Sequence, residues 1–600
     1  MNTPQTLNDL YFDAVERFSS KRAALRYKAD GIWHDITHQE LARRVKHAAL
    51  GLFQLGIQPG DKVAILSNNR PEWALADFAS LTARCPDVPI YSTLPAGQVA
   101  YILRNSGAVA VFVSDREQYE KIAEARNDAP ALRHVIVFDE VEGIEGPGVL
   151  TLARLIQQGA AAESKYPTYA EDARSVKPDD LATLIYTSGT TGDPKGVMLS
   201  HGNFASNVVA ALKVISIGPD DSALSVLPLC HSFERMAGHY TLFHAGATIS
   251  YAESIDAVAA NMGEVHPTVM LAVPRLYEKI YGRVLENALA GGGAKRKIFF
   301  WAKRNAEAWA DLELAGKPIP AWLGLKKKIG DRLVFSKLQA RTGGRIRFFV
   351  SGGAPLAPEI AKFFYAAGLK ILEGYGLTET SPLISINPPE KPKMGSVGPP
   401  VPGVEVRIAE DGEILARGPN IMQGYYNKPE ATAEVIDAEG WFHTGDIGEL
   451  DADGYIRITD RKKDIIVTAG GKNIAPQPIE NLVKMNSFVE NAVMIGDRRK
   501  FPSMLIVPNV AAVTKWASER NLPTDDYGSL LEHPDVVAKI EREIMLNLRD
   551  LASYETPKKF ALLKDDFTIE GGELTPTLKV KRRIVEKNYA ERIEQLYEDA

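Results

Sequence analysis

Short apolar runs alternate with longer mixed segments through roughly the first 400 residues, and this pattern limits the fold more than any other feature. Val63-Ala64-Ile65-Leu66 is followed by Asn68-Asn69-Arg70-Pro71 and a helical stretch ending near Arg84. Val88-Pro89-Ile90-Tyr91 and Val109-Ala110-Val111-Phe112-Val113 follow. Strands alternating with helices build βαβ units and largely parallel sheets. Residues 157–180, rich in Ala and polar side chains, read as a surface linker.

After about residue 400 the texture changes. Val404-Glu405-Val406-Arg407-Ile408 and Gly412-Glu413-Ile414-Leu415-Ala416-Arg417 alternate in polarity, with turn residues close behind. That is the pattern of a small antiparallel β unit. From about 460 mixed α and β character resumes, punctuated by a turn at Gly470-Gly471. A chain of 600 residues exceeds one hydrophobic core, and at ~150 residues per unit it divides into roughly four.

Composition removes several classes. A hydrophobic fraction of 45% with 24% charged residues excludes a disordered or collagen-like chain. Net charge is −6, which disfavours sequence-tolerant nucleic-acid binding. Two cysteines, Cys85 and Cys230, leave no disulfide framework or Cys-rich zinc site and fit a reducing cytoplasm. Met1-Asn2-Thr3-Pro4-Gln5-Thr6 has no basic-then-apolar signal pattern, and no run of about 18 apolar residues occurs. Membrane contact is therefore expected to be peripheral, on the inner face if it occurs.

The strongest chemical signal is Tyr186-Thr187-Ser188-Gly189-Thr190-Thr191-Gly192-Asp193-Pro194-Lys195-Gly196, entered from an apolar strand at Leu181–Ile185. Its glycines allow tight turns and close approach to a ligand. Hydroxyls and successive N–H groups suit phosphate oxygens, and Lys195 supplies a cation. The GxxxxGK[ST] spacing is absent, and Gly196–Ser200 reads as strand rather than the helix that a Walker loop requires.

This segment resembles the phosphate loop of the adenylate-forming enzymes, which include acyl-CoA synthetases, luciferases and peptide-synthetase adenylation domains. Further motifs of that superfamily follow in order: Ser351-Gly352-Gly353-Ala354-Pro355-Leu356, Glu373-Gly374-Tyr375-Gly376-Leu377-Thr378-Glu379-Thr380, Gly424-Tyr425-Tyr426-Asn427-Lys428-Pro429, Trp441-Phe442-His443-Thr444-Gly445-Asp446, Asp460-Arg461-Lys462-Lys463-Asp464 and Leu574-Thr575-Pro576-Thr577-Leu578-Lys579. The resemblance implies an α/β fold. A large N-terminal domain, 1–459, would hold two α/β subdomains (about 1–175 and 176–400) and a small β-barrel-like unit (401–459). It would be hinged at Asp460 to a small α+β C-terminal domain, 460–600.

Each motif also has a physical reading. Gly352, Gly353 and Ala354 permit close packing on a flat adenine, and Tyr375 offers an aromatic face. Glu373, Gly374 and Gly376 belong to the same nucleotide-binding run. Thr378 can donate to a phosphate, and Glu379 suits Mg²⁺, which prefers carboxylate and phosphate oxygens. By resemblance, Thr187 assists Glu379 at the metal, Asp446 accepts the ribose hydroxyls, and Arg461 and Lys463 approach the nucleotide. Lys579 resembles the catalytic lysine, preceded here by Leu578 where the family often has Gly. His231, in Pro228-Leu229-Cys230-His231-Ser232-Phe233-Glu234-Arg235, resembles the residue where acyl and pantetheine channels meet. A carboxylate nucleophile is already ionised at neutral pH, so His231 is expected to gate or orient rather than accept a proton.

The implied activity is ATP- and Mg²⁺-dependent conversion of a fatty acid to acyl-AMP, then transfer to CoA, with Gly470-Gly471-Lys472 facing pantetheine. The segment around His231 and the long insert between Tyr277 and Arg345 resemble long-chain fatty acyl-CoA synthetases. A fatty acyl-AMP ligase serving a carrier protein, or a non-catalytic lipid-binding protein on the same fold, are the alternatives. Residues 295–347 hold 14 Lys and Arg against 4 Asp and Glu, interleaved with Trp301, Trp309 and Trp322. That composition suits an anionic membrane surface as well as a solvated helical insert.

Overall fold

Two eight-stranded sheets carry most of the N-terminal part of the computed structural model, which describes residues 3–140, 143–144, 146–187, 193–549, 551–568, 571–575 and 580–598. The first runs Val149–Thr151, His134–Val137, Ala110–Val113, Val63–Leu66, Asp87–Ile90, Leu181–Thr187, Lys195–Ser200 and Gly424–Tyr425. Its first six strands are parallel and the last two antiparallel. The second runs Ile32–Ile36, Leu25–Ala29, Thr248–Tyr251, Ser222–Ser225, Val269–Ala272, Phe348–Ser351, Lys370–Gly376 and Leu383–Ile386. It is parallel except at its two ends. The apolar runs in the sequence are buried strands of the first sheet: every residue of Val63–Leu66 and Ala110–Val113 is buried.

Beyond Ile386 a four-stranded antiparallel sheet forms from Glu405–Ile408, Glu413–Arg417, Phe442–Leu450 and Ile456–Arg461. A smaller C-terminal unit follows. Its three-stranded sheet, Val489–Ile495, Ser503–Pro508 and Lys559–Leu562, packs with the helices Pro476–Lys484, Val510–Ser518 and Pro534–Asn547. No helix among the described residues is long and apolar enough to cross a membrane.

Residues 157–180 are not the linker that their composition predicts. Leu152–Ala161 and Tyr169–Arg174 are helices, with Leu155, Tyr169 and Ala173 buried. The first crosses the helix His38–Gln54 where Gly51 and Gly159 meet; a Cβ on Gly159 would lie 1.8 Å from the His47 carbonyl oxygen. Small residues here mark close backbone approach, not loose chain. The Asn8 side-chain amide donates to the Ala173 carbonyl at 2.6 Å and pins the second helix.

The two large sheets are joined through a fully buried arginine. Arg235 lies in a π-helical segment, Glu234–Thr241, attached to the second sheet. Its guanidinium donates to Asp77 and Asp87 of the first half, to Thr183 Oγ1 at 2.8 Å and to the Tyr240 hydroxyl at 2.8 Å. Tyr240 in turn donates to Asp77 at 3.0 Å. Burial and the neighbouring Asp77 hold Asp87 well above the usual carboxylate range. Removing one member of a buried ion pair leaves the remainder uncompensated. Arg235→Met should therefore destabilise the chain by about 3–5 kcal/mol, read as a lowered urea midpoint. Adding Asp77→Asn and Asp87→Asn should recover much of that loss; no recovery would show that packing, not charge, sets the cost.

Candidate functional site

The hairpin of Leu181–Thr187 and Lys195–Ser200 forms one wall of the candidate site, with Tyr186 opposite Gly196 and Thr187 opposite Lys195. This matches the expected strand entering and strand leaving the Gly-rich loop. Ser188, Gly189, Thr190, Thr191 and Gly192 lie outside the described residues. A Cβ on Gly196 would sit 3.1 Å from the Tyr186 ring, so the glycine lets the two strands close over that side chain.

From the hairpin, contacts run directly to the acidic motif. Lys195 Nζ stands 4.7 Å from the centre of the Tyr425 ring. The Tyr425 hydroxyl donates to Glu379 Oε1 at 2.9 Å. Glu379 sits in a short turn, Thr378–Thr380, after the strand Lys370–Gly376, and its carbonyl accepts from the Met422 N–H at 2.8 Å. The local sequence around Tyr425 assigns it no role. Its strand pairs with Met198 and Val197, more than two hundred positions earlier, and only the fold reveals that pairing.

The next segment is Pro228–Arg235. Ser232 Oγ lies 3.4 Å from Thr378 Oγ1, and Phe233 packs where a Cβ on Gly352 would come within 3.1 Å of its ring. His231 Nδ1 accepts the Phe233 N–H at 3.1 Å, which fixes the ring within the turn. Gly353 has φ +84°, a conformation that glycine adopts without strain. Ala354 follows at the exposed mouth of that turn. Ser351 is in register with Glu373, so His231, Gly352 and the Glu373–Glu379 run share one region.

Glu373 is buried, and desolvation pushes its carboxyl up to about 8, against the backbone N–H groups of Leu356 and Gly395. Gly374 makes ordinary contacts, whereas a Cβ on Gly376 would strike the Pro382 carbonyl at 1.6 Å. Tyr375 is buried in a cluster with Ile384, Ile414 and Ile456. Its hydroxyl donates to Asp446 Oδ2 at 2.7 Å, and Arg461 Nε donates to Asp446 Oδ1 at 3.0 Å. Sequence reasoning gave Tyr375 a ring face; the structure adds that its hydroxyl orients Asp446.

At the boundary of the C-terminal unit, Asp460 is buried with Oδ1 on the Arg461 N–H and Oδ2 without a partner. Burial pushes it up to about 7. Lys463 is exposed, while its neighbour Lys462 binds Asp411 at 2.6 Å and Glu413 at 3.0 Å. Lys579 lies outside the described residues; its flanks Leu574 and Val580 form an antiparallel bridge. Gly470, Gly471 and Lys472 form an exposed turn between Ile466–Val467 and Asn473–Ile474, with Lys472 Nζ 5.5 Å from the Tyr554 ring centre. Arg275, unremarked in the sequence, reaches across to the C-terminal unit and donates to the Glu490 carbonyl at 3.0 Å and to its carboxylate.

No group of three or more His, Cys, Asp or Glu gathers among the described residues in a way that could hold a metal. A single carboxylate, Glu379, linked through Tyr425 and Lys195 to the strand that ends at Thr187, suits Mg²⁺ shared with substrate phosphates and water, not an all-protein cage.

Residues 11–426 match the AMP-binding enzyme family and residues 463–600 match the AMP-binding enzyme C-terminal domain. The long-chain-fatty-acid–CoA ligase FadD15 of Mycobacterium bovis is 40% identical over 95% of this chain and 93% of its own length. The peroxisomal long chain acyl-CoA synthetase 6 of Arabidopsis thaliana is 34% identical over 99% of this chain and 86% of its own. Among solved structures, the anthranilate CoA ligase AuaEII in complex with anthranoyl-AMP superposes with a TM-score of 0.73 at 20% identity, covering 99% of both chains. An adenylation–carrier didomain of a carboxylic acid reductase from Segniliparus rugosus, in complex with AMP, gives 0.75 at 22% identity over 100% of this chain and 83% of that one. At such identities these two establish the shared fold.

The Glu373 carboxyl has a consequence for stability. It keeps its proton in the folded chain up to about pH 8, whereas its ordinary value is 4.5. Between those values the folded state binds more protons than the unfolded one, so stability falls as pH rises through the window. Glu373→Gln keeps the shape without the proton. Its melting temperature should fall less steeply than the wild type's across that window; an unchanged slope would remove Glu373 as the source.

Proposed function

The chain belongs to the AMP-binding enzyme family, and on that basis we propose that it is an ATP-dependent ligase that activates a long-chain fatty acid and transfers the acyl group to CoA. The observation that carries the reading is an unbroken series of contacts. It runs from Thr187 and Lys195 through Tyr425 and Glu379 to Thr378, Ser232, His231 and Gly352, and along the Glu373–Gly376 strand to Asp446 and Arg461. Segments spread from Thr187 to Arg461 thus touch one another in series, which supports a single shared nucleotide site.

In the first half-reaction a carboxylate oxygen of the fatty acid bonds to the α-phosphorus of ATP, and the bond from that phosphorus to the pyrophosphate oxygen breaks. Acyl-AMP and pyrophosphate result. The carboxylate needs no base, being ionised at neutral pH. Thr187, Ser188, Gly189, Thr190, Thr191, Gly192 and Lys195 hold the outgoing phosphates. Gly352, Gly353 and Ala354 seat the adenine, Asp446 takes the ribose hydroxyls, and Arg461 and Lys463 approach the nucleotide. Mg²⁺, held by Glu379 and Thr187, would supply charge neutralisation on the phosphates. Tyr425 orients Glu379 through one carboxylate oxygen. Lys579 places a cation by the attacked phosphate.

In the second half-reaction the CoA sulfur bonds to the acyl carbon, the bond from that carbon to the AMP oxygen breaks, and the thiol proton passes to water. We assign Gly470, Gly471 and Lys472 to the pantetheine, His231 to the junction of the two substrates, and the hinge between 1–459 and 460–600 to Asp460. Buried, free Cys85 and Cys230 fit a cytoplasmic setting.

AMP release followed over a series of fatty acid chain lengths with CoA present tests the reading; activity confined to short acids would overturn the long-chain assignment. Lys579→Ala should abolish acyl-AMP formation yet convert supplied acyl-AMP and CoA to thioester. Equal collapse of both steps would remove the role given to Lys579. Glu379→Gln, which keeps the shape and loses the charge, should raise the Mg²⁺ requirement and slow adenylation; full activity at unchanged Mg²⁺ would exclude it from the metal site.

A further inference from the structure

The insert between the strands Val269–Ala272 and Phe348–Ser351 is helical: Pro274–Ala290, Gly292–Leu314 and Ala321–Gly330, continuing through Asp331–Phe335. One face of its third helix is buried, with Leu323 and Phe335 against the core. A second, water-facing stripe is apolar as well. Trp322, Leu325, Ile329 and Leu333, at helical spacing, are 58%, 61%, 42% and 51% exposed. Ile298 and Phe300 of the neighbouring helix are also exposed. The two helices are in contact where Gly330 meets Ala302.

Charge around this stripe is one-sided. The segment's four acids are engaged within the protein: Glu307 by Lys303, Asp331 by Lys327, Asp311 by Lys362 and Glu313 by the Tyr365 hydroxyl. Lys295, Arg296, Lys297, Arg304, Lys328 and Arg332 are exposed and make no ion pair among the described residues. Lys326 stands 4.7 Å over the Trp322 ring. A water-facing helix bearing Trp, Leu and Ile in a row, flanked by uncompensated cations, has the chemistry of an interfacial helix. A second copy of the chain is a poor occupant, because a two-fold contact would set like charges against each other.

We propose that this face docks the protein on an anionic bilayer, with Trp322, Leu325, Ile329 and Leu333 entering the headgroup boundary and the lysines and arginines meeting lipid phosphates. The inference deepens the reading above, since a bilayer is where a long-chain fatty acid partitions. The helix Gly292–Leu314 packs on Pro358–Ala366, the helix that follows the Gly352-Gly353 turn, so docking would present the substrate site to the surface in one fixed orientation.

The test is co-sedimentation of the full chain, without substrates, on vesicles of phosphatidylcholine alone or mixed with phosphatidylglycerol. Binding should favour the anionic vesicles and weaken with salt as the Debye length shortens from about 10 Å at 0.1 M. Lys328→Gln with Arg332→Gln should weaken it roughly 30-fold, from the contribution of each cation near the surface. Trp322→Ser with Leu325→Ser should abolish it while leaving turnover of a short, water-soluble fatty acid unchanged, which checks the fold and separates docking from catalysis. Equal recovery on both vesicles, or wild-type binding by either variant, overturns the proposal. Loss in Trp322→Ser of a concentration-dependent dimer, seen by light scattering without vesicle binding, would assign the face to a second copy instead.

Discussion

One guanidinium holds the two halves of the large domain in register. Arg235 is completely buried, yet it binds carboxylates from the helix Pro71–Thr82 and the strand Asp87–Ile90, both in the first half of the chain. Trp73 and Phe204 pack beside it with ring centres 5.6 and 5.8 Å away. Desolvating such a group is expensive, and replacing the whole charged cluster with apolar side chains of similar volume would often be as stable. What a charged fork gives instead is direction: its donors meet their acceptors in only one arrangement. Because Arg235 closes the turn that begins at Pro228, the same constraint fixes where His231, Ser232 and Phe233 stand. The candidate site depends on that anchor.

The sequence reveals the features that depend on neighbouring residues. Parallel strands buried on both faces leave unbroken apolar runs, so Val63–Leu66 and Ala110–Val113 are visible without any partner. The strands that enter and leave the Gly-rich loop are legible because Leu181–Ile185 and Gly196–Ser200 carry their own apolar pattern. The alternation at Glu405–Ile408 and Glu413–Arg417 announces antiparallel pairing for the same reason. The resemblance of six ordered motifs to adenylate-forming enzymes extends this to residues that no local rule would single out, Asp446 among them.

What stayed hidden is set by distant partners. Asp77 and Asp87 look like ordinary acids until Arg235, about 150 positions later, is brought against them. Tyr425 looks like a packing residue until its strand joins Lys195–Ser200 and its hydroxyl reaches Glu379. The segment 157–180 has the composition of a linker and the structure of packed helices, because alanine and glycine permit both looseness and very close packing. Only the Gly51–Gly159 crossing decides between them.

The grip of Arg275 on Glu490 joins a helix of the large domain to the first strand of the small sheet. One of its two bonds ends on a main-chain oxygen, which every residue type possesses. Replacing the glutamate side chain would loosen this catch without erasing it, whereas replacing Arg275 would erase both bonds. Both side chains are partly open to water, so releasing them strands no charge in the interior. The contact thus works like a surface latch: it ties the two units together where they meet, and it can open without burying an unpaired charge on either side.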